Sequence, residues 1–333
     1  MSPRQGPVTS SKASPSISSG STAQPFTIIR PPKLKSKRPK GRQGTRRRLS
    51  TPASQLVERW TTIAGIDVFY RESPHQSQAP VMMHVSGFGL SGRYLLPTAE
   101  ALMNDFHTLV PDLPGCGRSR NAAIPLGVPG LAHAAAAILD RLGIGKVTLV
   151  GNSMGCPVIC EFAHLFPGRL ERAILVAPAG GLHNQPLPRA VGQILRAGIR
   201  EPAQLLRVVV PDYVRFGVPS TVRLFRALTQ YPTLRRLLDL KVPTLAVVGN
   251  RDPLLPPPAR VREFAELKEH RTLFVVIDGA AHAINFSHPG ELANVIRQFM
   301  ADPSIIDDPN SRGTATAYEL YRGSNLPPTI TWQ

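Results

Sequence analysis

Residues Val147 to Gly155 read VTLVGNSMG, an apolar, β-branched run that ends in Gly-x-Ser-x-Gly. Four apolar or β-branched residues in a row suit a strand buried on both faces. Ser153 stands two positions from Gly151 and two from Gly155, and the physical reason for both glycines is crowding. A strand-to-helix turn sharp enough to push a serine hydroxyl out of the sheet leaves no room for side chains at those places. Ser153 therefore reads as a nucleophile. Five-residue patterns recur by chance in long chains, so the weight of this one depends on its surroundings.

Outward from this motif, strand-like and helix-like segments alternate. Gln55 to Ile63 and Ile66 to Arg71 flank Ala64-Gly65 as a hairpin. Further strands are expected at Val81 to Val85, Thr108 to Val110, Val147 to Val150, Ala173 to Val176, Thr244 to Val248 and Leu273 to Ile277. Helices are expected at Arg93 to Asn104, Leu131 to Leu142, Ser153 to Leu165, Arg260 to Leu267 and Pro289 to Met300. Strands separated by helices imply right-handed crossovers and a mostly parallel sheet covered on both faces, so the fold class is α/β. The opening hairpin supplies an antiparallel edge.

The rhythm stops between Gly181 and Leu240, which is helical and carries nine Arg against Glu201, Asp212 and Asp239, a net of 9 − 3 = +6. An insertion at the ligand-binding edge of a sheet reads as a lid. Its charge is either an attraction for anionic substrates or the solvated outer face of lid helices. Tyr213, Phe216, Phe225 and Arg196 are its candidate pocket residues. The domain thus runs over 55–301 with the lid at 181–240, and 302–333, polar and without a clear period, reads as a tail.

The chain has 333 residues and a net charge of +17, which at first suggests a nucleic-acid binder. Twelve Lys and Arg, and no Asp or Glu, fall in the first 50 residues, so 17 − 12 leaves +5 for the other 283. This basic, Pro- and Ser-rich leader, residues 1–54, lacks the apolar content to offset its ordering entropy and is expected to be disordered. It reads as an unselected extension, with a polyanion-binding segment and a transit peptide as alternatives; no specific nucleic-acid partner is expected. No apolar run is long enough for a membrane span. Cys116, Cys156 and Cys160 have no metal-like companions and suggest free thiols in a reducing, cytoplasmic setting.

A serine nucleophile needs a base and a carboxylate to orient it, on loops at one sheet edge. VVGNRDPLLP places Asp252 just after the strand ending at Val248, and VVIDGAAHAINF places His282 just after the strand ending at Ile277. Both fall at carboxyl ends of parallel strands, where crevices form in open α/β sheets. Asp278 is the rival acid, cramped by its place four residues before His282. Among other histidines, His288 precedes Pro289 at a helix start, and His84 reads as a satisfied core residue within a buried strand. The oxyanion of a tetrahedral intermediate needs two N–H donors: Met154 at a helix amino terminus, and Phe88 in the SGFGLSGRY loop.

The blocks GNSMG, PDLPGCGRS, SGFGLSGRYLLP, GNRDPLLP and GAAHAIN together resemble the α/β-hydrolase superfamily, over about Val57 to Met300. The GNSMG form is similar to that of lidded bacterial esterases and of the meta-cleavage-product hydrolases, which split carbon–carbon bonds. The resemblance implies a Ser153–His282–Asp252 triad acting on a small-molecule substrate through an acyl-enzyme, with no metal or organic cofactor. One departure is Ser86-Gly87 where the family usually has His-Gly, which leaves the loop-stabilising role of that His unassigned. Serine at position 153 argues against an epoxide hydrolase or haloalkane dehalogenase. Three functions stay open: hydrolysis of a carboxylic ester or related acyl compound, C–C hydrolysis of a dienol-type diketone, and ligand binding without catalysis on the same scaffold. Substrate identity and oligomeric state are not legible.

Overall fold

The computed structural model describes residues 54–74, 78–119, 126–178, 198, 200–254, 272–302 and 318–322. The leader up to residue 53, Arg196, the helix expected at Arg260 to Leu267 and most of the tail lie outside the described residues.

Among the described residues, nine strands form one sheet: β1 (Val57–Ile63), β2 (Ile66–Glu72), β3 (Val81–Val85), β4 (His107–Pro111), β5 (Val147–Asn152), β6 (Leu170–Val176), β7 (Thr244–Gly249), β8 (Thr272–Ile277) and β9 (Tyr318–Arg322). Their order is β1-β2-β4-β3-β5-β6-β7-β8-β9. β1 and β2 pair antiparallel, with Ile63 opposite Ile66, and β2 joins β4 antiparallel. Ala64 and Gly65, both at positive φ, make the tight turn between them. From β4 through β8 every pairing is parallel. The chain leaves β3 on one side for β4 and returns on the other for β5, so the loops after β3 and β5 part at this point and open a crevice.

The helices are α1 (Leu96–Leu102), α2 (Val128–Arg141), α3 (Gly155–Leu165), α4 (Ala203–Phe216), α5 (Val218–Gln230), α6 (Thr233–Leu238), α7 (Ile284–Ser287) and α8 (Pro289–Ala301). Alternate residues of the central strands serve opposite layers. Met83, Leu149, Ala173 and Leu175 pack with Ala135, Leu139, Ile159 and Phe162 of α2 and α3, while Met82, Val150, Ile174 and Val247 pack with Leu292, Val295 and Phe299 of α8. Each of the larger of these side chains taken wholly out of water contributes on the order of 1.5–3 kcal/mol, and β5, covered on both faces, is buried at all six positions.

Three sequence expectations are corrected. The helix expected over Arg93 to Asn104 is a 3₁₀ turn at Gly92–Leu95 followed by α1; Pro97, with no N–H to give, sits at the start of the new helix instead of inside a longer one. Within the expected tail, β9 pairs antiparallel with β8, with Ile277 opposite Tyr318. His84 is a core residue, wholly buried, but neither ring nitrogen has a hydrogen-bond partner. The core around it is thick enough to hold an imidazole as a neutral ring.

The sequence insertion appears as α4, α5 and α6 between β6 and β7. Among the described residues, four polar anchors fix it to the body, the first being Arg200, which donates to the Arg251 carbonyl at 2.9 Å. Glu201, just before α4, accepts from the Ala283 N–H at 2.8 Å. Buried Asp212 of α4 accepts from both the N–H and the hydroxyl of Ser91, at 2.9 and 2.6 Å. Arg236 of α6 donates to Glu161 of α3 at 3.0 Å, and the Tyr231 hydroxyl bonds the same carboxylate.

Burial drives the His84 pKa from 6.5 down to about 3. An unfolded chain takes up a proton there below its ordinary pKa while the folded chain does not, so this residue's contribution to stability falls as pH drops from 6.5 towards 3. The slope approaches about 1.4 kcal/mol per pH unit, one proton's worth. Urea melts at pH 7, 5 and 4 should show His84→Leu losing less stability with acid than the parent.

Candidate active site

Ser153 occupies the link between β5 and α3 with φ at +55°, a conformation costing an L-residue about 1–3 kcal/mol. Its N–H donates to the Val176 carbonyl at 2.9 Å and its carbonyl accepts from the Cys156 N–H at 3.1 Å, which hold the turn closed. The two glycines are required by contact. A Cβ on Gly151 would lie 2.6 Å from the Gly155 carbonyl carbon, and one on Gly155 would lie 2.4 Å from the Val85 carbonyl oxygen. The first turn of α3 thus rests on the end of β3, which brings the loop after β3 to Ser153. A Cβ on Gly87 would come within 3.4 Å of the Ser153 Cβ.

That loop carries Phe88 and is braced on itself. The Ser86 hydroxyl donates to the Leu90 carbonyl at 2.8 Å and the Leu90 N–H donates to the Gly87 carbonyl at 3.3 Å. Ser86 therefore closes the loop whose usual histidine this chain lacks. Met154, the other proposed donor, caps α3. Amides in the first turn of a helix have no partner within the helix, and the dipole there favours negative charge.

Asp252 and His282 meet across the ends of β7 and β8. Asp252 Oδ2 lies 2.7 Å from His282 Nδ1, and its Oδ1 accepts from the Leu254 N–H at 2.8 Å. The carboxylate is almost wholly shielded from water, with the imidazole only partly open. Asp278, the rival acid, is engaged elsewhere: Asn250 donates its amide to Asp278 and accepts from the Gly279 N–H at 2.9 Å, which ties the β7 and β8 loops together. Burial disfavours a charged imidazole at His282, but the Asp252 carboxylate, through its charge and hydrogen bond, and then Glu201 outweigh it, so the pKa is raised above 6.5. With Nδ1 committed to Asp252, Nε2 is the ring atom left for proton exchange. His288 stands at the start of α8, as expected, with no side-chain bond to the helix end.

Two residues inside the quoted motifs, Tyr94 and Asn152, have roles that sequence reasoning missed. The Gly87 N–H donates to the Tyr94 hydroxyl at 2.6 Å, which donates to Asn152 Oδ1 at 2.9 Å, and Asn152 Nδ2 donates to the His282 carbonyl at 3.2 Å. One buried chain of bonds thus joins the loops that carry Phe88, Ser153 and His282. Burial pushes the Tyr94 phenol far up, so it stays protonated and able to donate. Glu201 was also missed: one oxygen takes the Ala283 N–H, and the other is buried without a partner. Burial raises its pKa, opposed by the backbone amides it faces. No local signal marks these partners, since they come together across 58, 82 and 130 residues of sequence.

Of the expected pocket residues, Phe216 and Phe225 pack edge-on against Phe88, with ring centroids 6.3 and 6.2 Å away. Tyr213 has its phenol pushed up to about 12, by burial first and then by Asp212. Among the described residues, no three of His, Cys, Asp and Glu gather as a metal site.

Comparison with known proteins agrees with the fold. The family model described as the alpha/beta hydrolase family matches residues 81–295. The chain is 27% identical over 248 residues to a poly(3-hydroxyalkanoate) depolymerase of Ectopseudomonas oleovorans, covering 68% of this chain and 86% of that one. It is 28% identical over 218 residues to a 2-hydroxy-6-oxononadienedioate/2-hydroxy-6-oxononatrienedioate hydrolase of Burkholderia vietnamiensis, covering 57% of this chain and 76% of that one. A thermophilic esterase from Thermogutta terrifontis has a similar fold, with a TM-score of 0.57 at 23% identity over 75% of this chain and all of the other. A match running from β3 into α8, on a sheet of this order, identifies the chain as a hydrolytic enzyme that belongs to the alpha/beta hydrolase family.

Proposed function

We propose that the enzyme is a serine hydrolase of carboxylic esters or related acyl compounds. The observation that carries this reading is the 2.7 Å contact between buried Asp252 and His282, whose backbone is tied through Asn152 to the strained turn at Ser153. The Ser153 hydroxyl attacks the substrate carbonyl as His282 Nε2 takes its proton, and Asp252 steadies the resulting imidazolium. The Phe88 and Met154 amides receive the oxyanion. His282 then gives the proton to the departing alcohol, and a water deprotonated by the same ring releases the acid from the acyl-enzyme.

The helical insertion is the lid in this reading, and its inner wall favours an acyl chain. Phe216 and Phe225 turn towards Phe88, whereas Arg207, Arg215, Arg223 and Arg226 are exposed to solvent. C–C cleavage of a dienol-type diketone uses the same triad and is the second reading, supported by the relative from Burkholderia vietnamiensis. It would want a cation facing the site for the substrate carboxylate, and these four arginines face away.

Fluorophosphonate labelling should mark the parent protein and leave Ser153→Ala unmarked, and a p-nitrophenyl ester series should be hydrolysed by the parent alone. Equal labelling of both proteins would sink the nucleophile assignment. Labelling without any ester turnover would move the reading to C–C cleavage.

The pH profile carries its own sign. His282 must be neutral to accept a proton, and its pKa is raised, so kcat/KM should climb with pH through a midpoint above 6.5. Glu201→Gln keeps an acceptor for the Ala283 N–H but removes a negative charge facing the ring. Its rising limb should shift to lower pH; an unshifted limb would show that Glu201 has no electrostatic hold on His282.

Tyr94→Phe leaves the Gly87 N–H and Asn152 Oδ1 without a partner inside the protein. The expected stability loss is about 1–3 kcal/mol per stranded group. We expect kcat to fall by about tenfold or more with KM little changed, as for other losses of oxyanion-site order. Steady-state kinetics on the best ester of the series, with melting curves alongside, check both.

A further inference from the structure

Six large apolar side chains are exposed among the described residues, and five of them lie on α4 and α5. Leu206, Val210 and Val214 recur every fourth residue along α4, and Val218 and Val222 stand four apart on α5. Val214 and Val218, on either side of the break at Gly217, are each 76% exposed. Fourth-residue spacing puts side chains on one face of a helix. Other positions on the two helices are already used: Leu205, Leu224, Phe225 and Leu228 are buried. The exposed stripe is therefore additional to the apolar surface that the fold consumes.

The charges among these valines have one sign. Arg207, Arg215, Arg223 and Arg226 are all exposed, and the only acid between Ala203 and Gln230 is Asp212, which is buried and bonded to Ser91. An aliphatic stripe bordered by arginines is the pattern of a helix that lies in the plane of a lipid surface, with its apolar residues among the acyl chains and its cations at the phosphates. Arginine suits that position because its planar fork can bind phosphate oxygens two at a time. A second copy of the chain is a poor occupant, since a two-fold contact over this stripe would set arginines against arginines. A nucleic acid would satisfy the arginines and leave five aliphatic side chains against water. No described helix is long and apolar enough to cross a membrane, so this contact would lie on the surface.

We propose that the outer face of α4 and α5 docks on an anionic lipid–water interface, inserting Val214 and Val218 while Arg207, Arg215, Arg223 and Arg226 bind lipid phosphates. The inner side of the same two helices carries Phe216 and Phe225 to Phe88, so the docked surface is the outside of the wall that covers the site. Docking itself stands apart from the hydrolytic reading, because its test measures binding alone.

The test uses the full chain and vesicles of phosphatidylglycerol with phosphatidylcholine, or of phosphatidylcholine alone. Cys116, Cys156 and Cys160 are all buried, so Val214→Cys and, separately, Lys146→Cys can each be labelled with an environment-sensitive fluorophore. Lys146 is exposed at the start of β5, at the far edge of the sheet from the site. The expected result is a blue shift at position 214 with the anionic vesicles, none at position 146, and weak or no shift with phosphatidylcholine alone. Val214→Asp combined with Val218→Asp should weaken co-sedimentation with anionic vesicles by about tenfold or more, since a charge would have to enter the apolar layer. Three results overturn the proposal: no co-sedimentation, co-sedimentation without a shift at position 214, which would assign binding to another part such as the basic leader, or a shift at position 214 that grows with protein concentration without lipid, which would make the stripe a contact between copies.

Discussion

The first turn of α3 rests directly on the end of β3. Gly155 lies so close to the Val85 carbonyl that a single carbon atom between them would force the elements apart. Two things follow from this contact of backbone on backbone. Ser153 is held at a positive φ at the mouth of the sheet, and the loop after β3 is brought alongside it. Because β3 and β5 are neighbours whose connections run to opposite sides, the crevice is created by strand order, and the glycines set how narrow it is. A larger residue at position 151 or 155 would push α3 away from β3 and part the turn at Ser153 from the loop that carries Phe88.

The hydrogen bonds around this contact make three loops into one object. Gly87, Tyr94, Asn152 and the His282 carbonyl form a continuous series through the interior. Asp252 holds the imidazole from the other side, and Asn250 with Asp278 locks the β7 and β8 loops together. In a low-dielectric interior, a satisfied polar chain is rigid because any displacement strands a buried donor or acceptor. His84 shows the reverse case in the same molecule: a polar ring with no partner, kept neutral by its surroundings.

The sequence carries the parts of this arrangement that local crowding and periodicity determine. VTLVGNSMG announces a buried strand and a tight turn because its chemistry is local, and the parallel sheet follows from strands alternating with helices. Asp252 and His282 are legible because each follows closely on a strand. What is not legible is set by register and by contacts across the fold. Whether Asp252 or Asp278 meets the imidazole depends on Asn250 already holding Asp278, and nothing local to either aspartate encodes that. Tyr94 and Asn152 stand inside quoted motifs, yet their partnership spans 58 residues. Glu201 was one acid in an arginine-rich segment until folding placed it beside Ala283. β9 went unseen because a single edge strand needs only one neighbour and so leaves little periodic trace.

Among the described residues, the helical insertion touches the body through few polar anchors: Arg200 at the Arg251 carbonyl, Glu201 at Ala283, Asp212 at Ser91, and Arg236 with Tyr231 at Glu161. Each anchor grips a different region of the body, namely the loop after β7, the loop that carries His282, the segment beyond the Phe88 loop, and α3. The insertion is therefore a modular roof on fixed pegs. In the reading proposed above, its inner wall between the pegs shapes the substrate pocket, so a lineage that keeps these anchors and the packing on Phe88 would exchange one substrate for another while the strand-end loops below stay as they are.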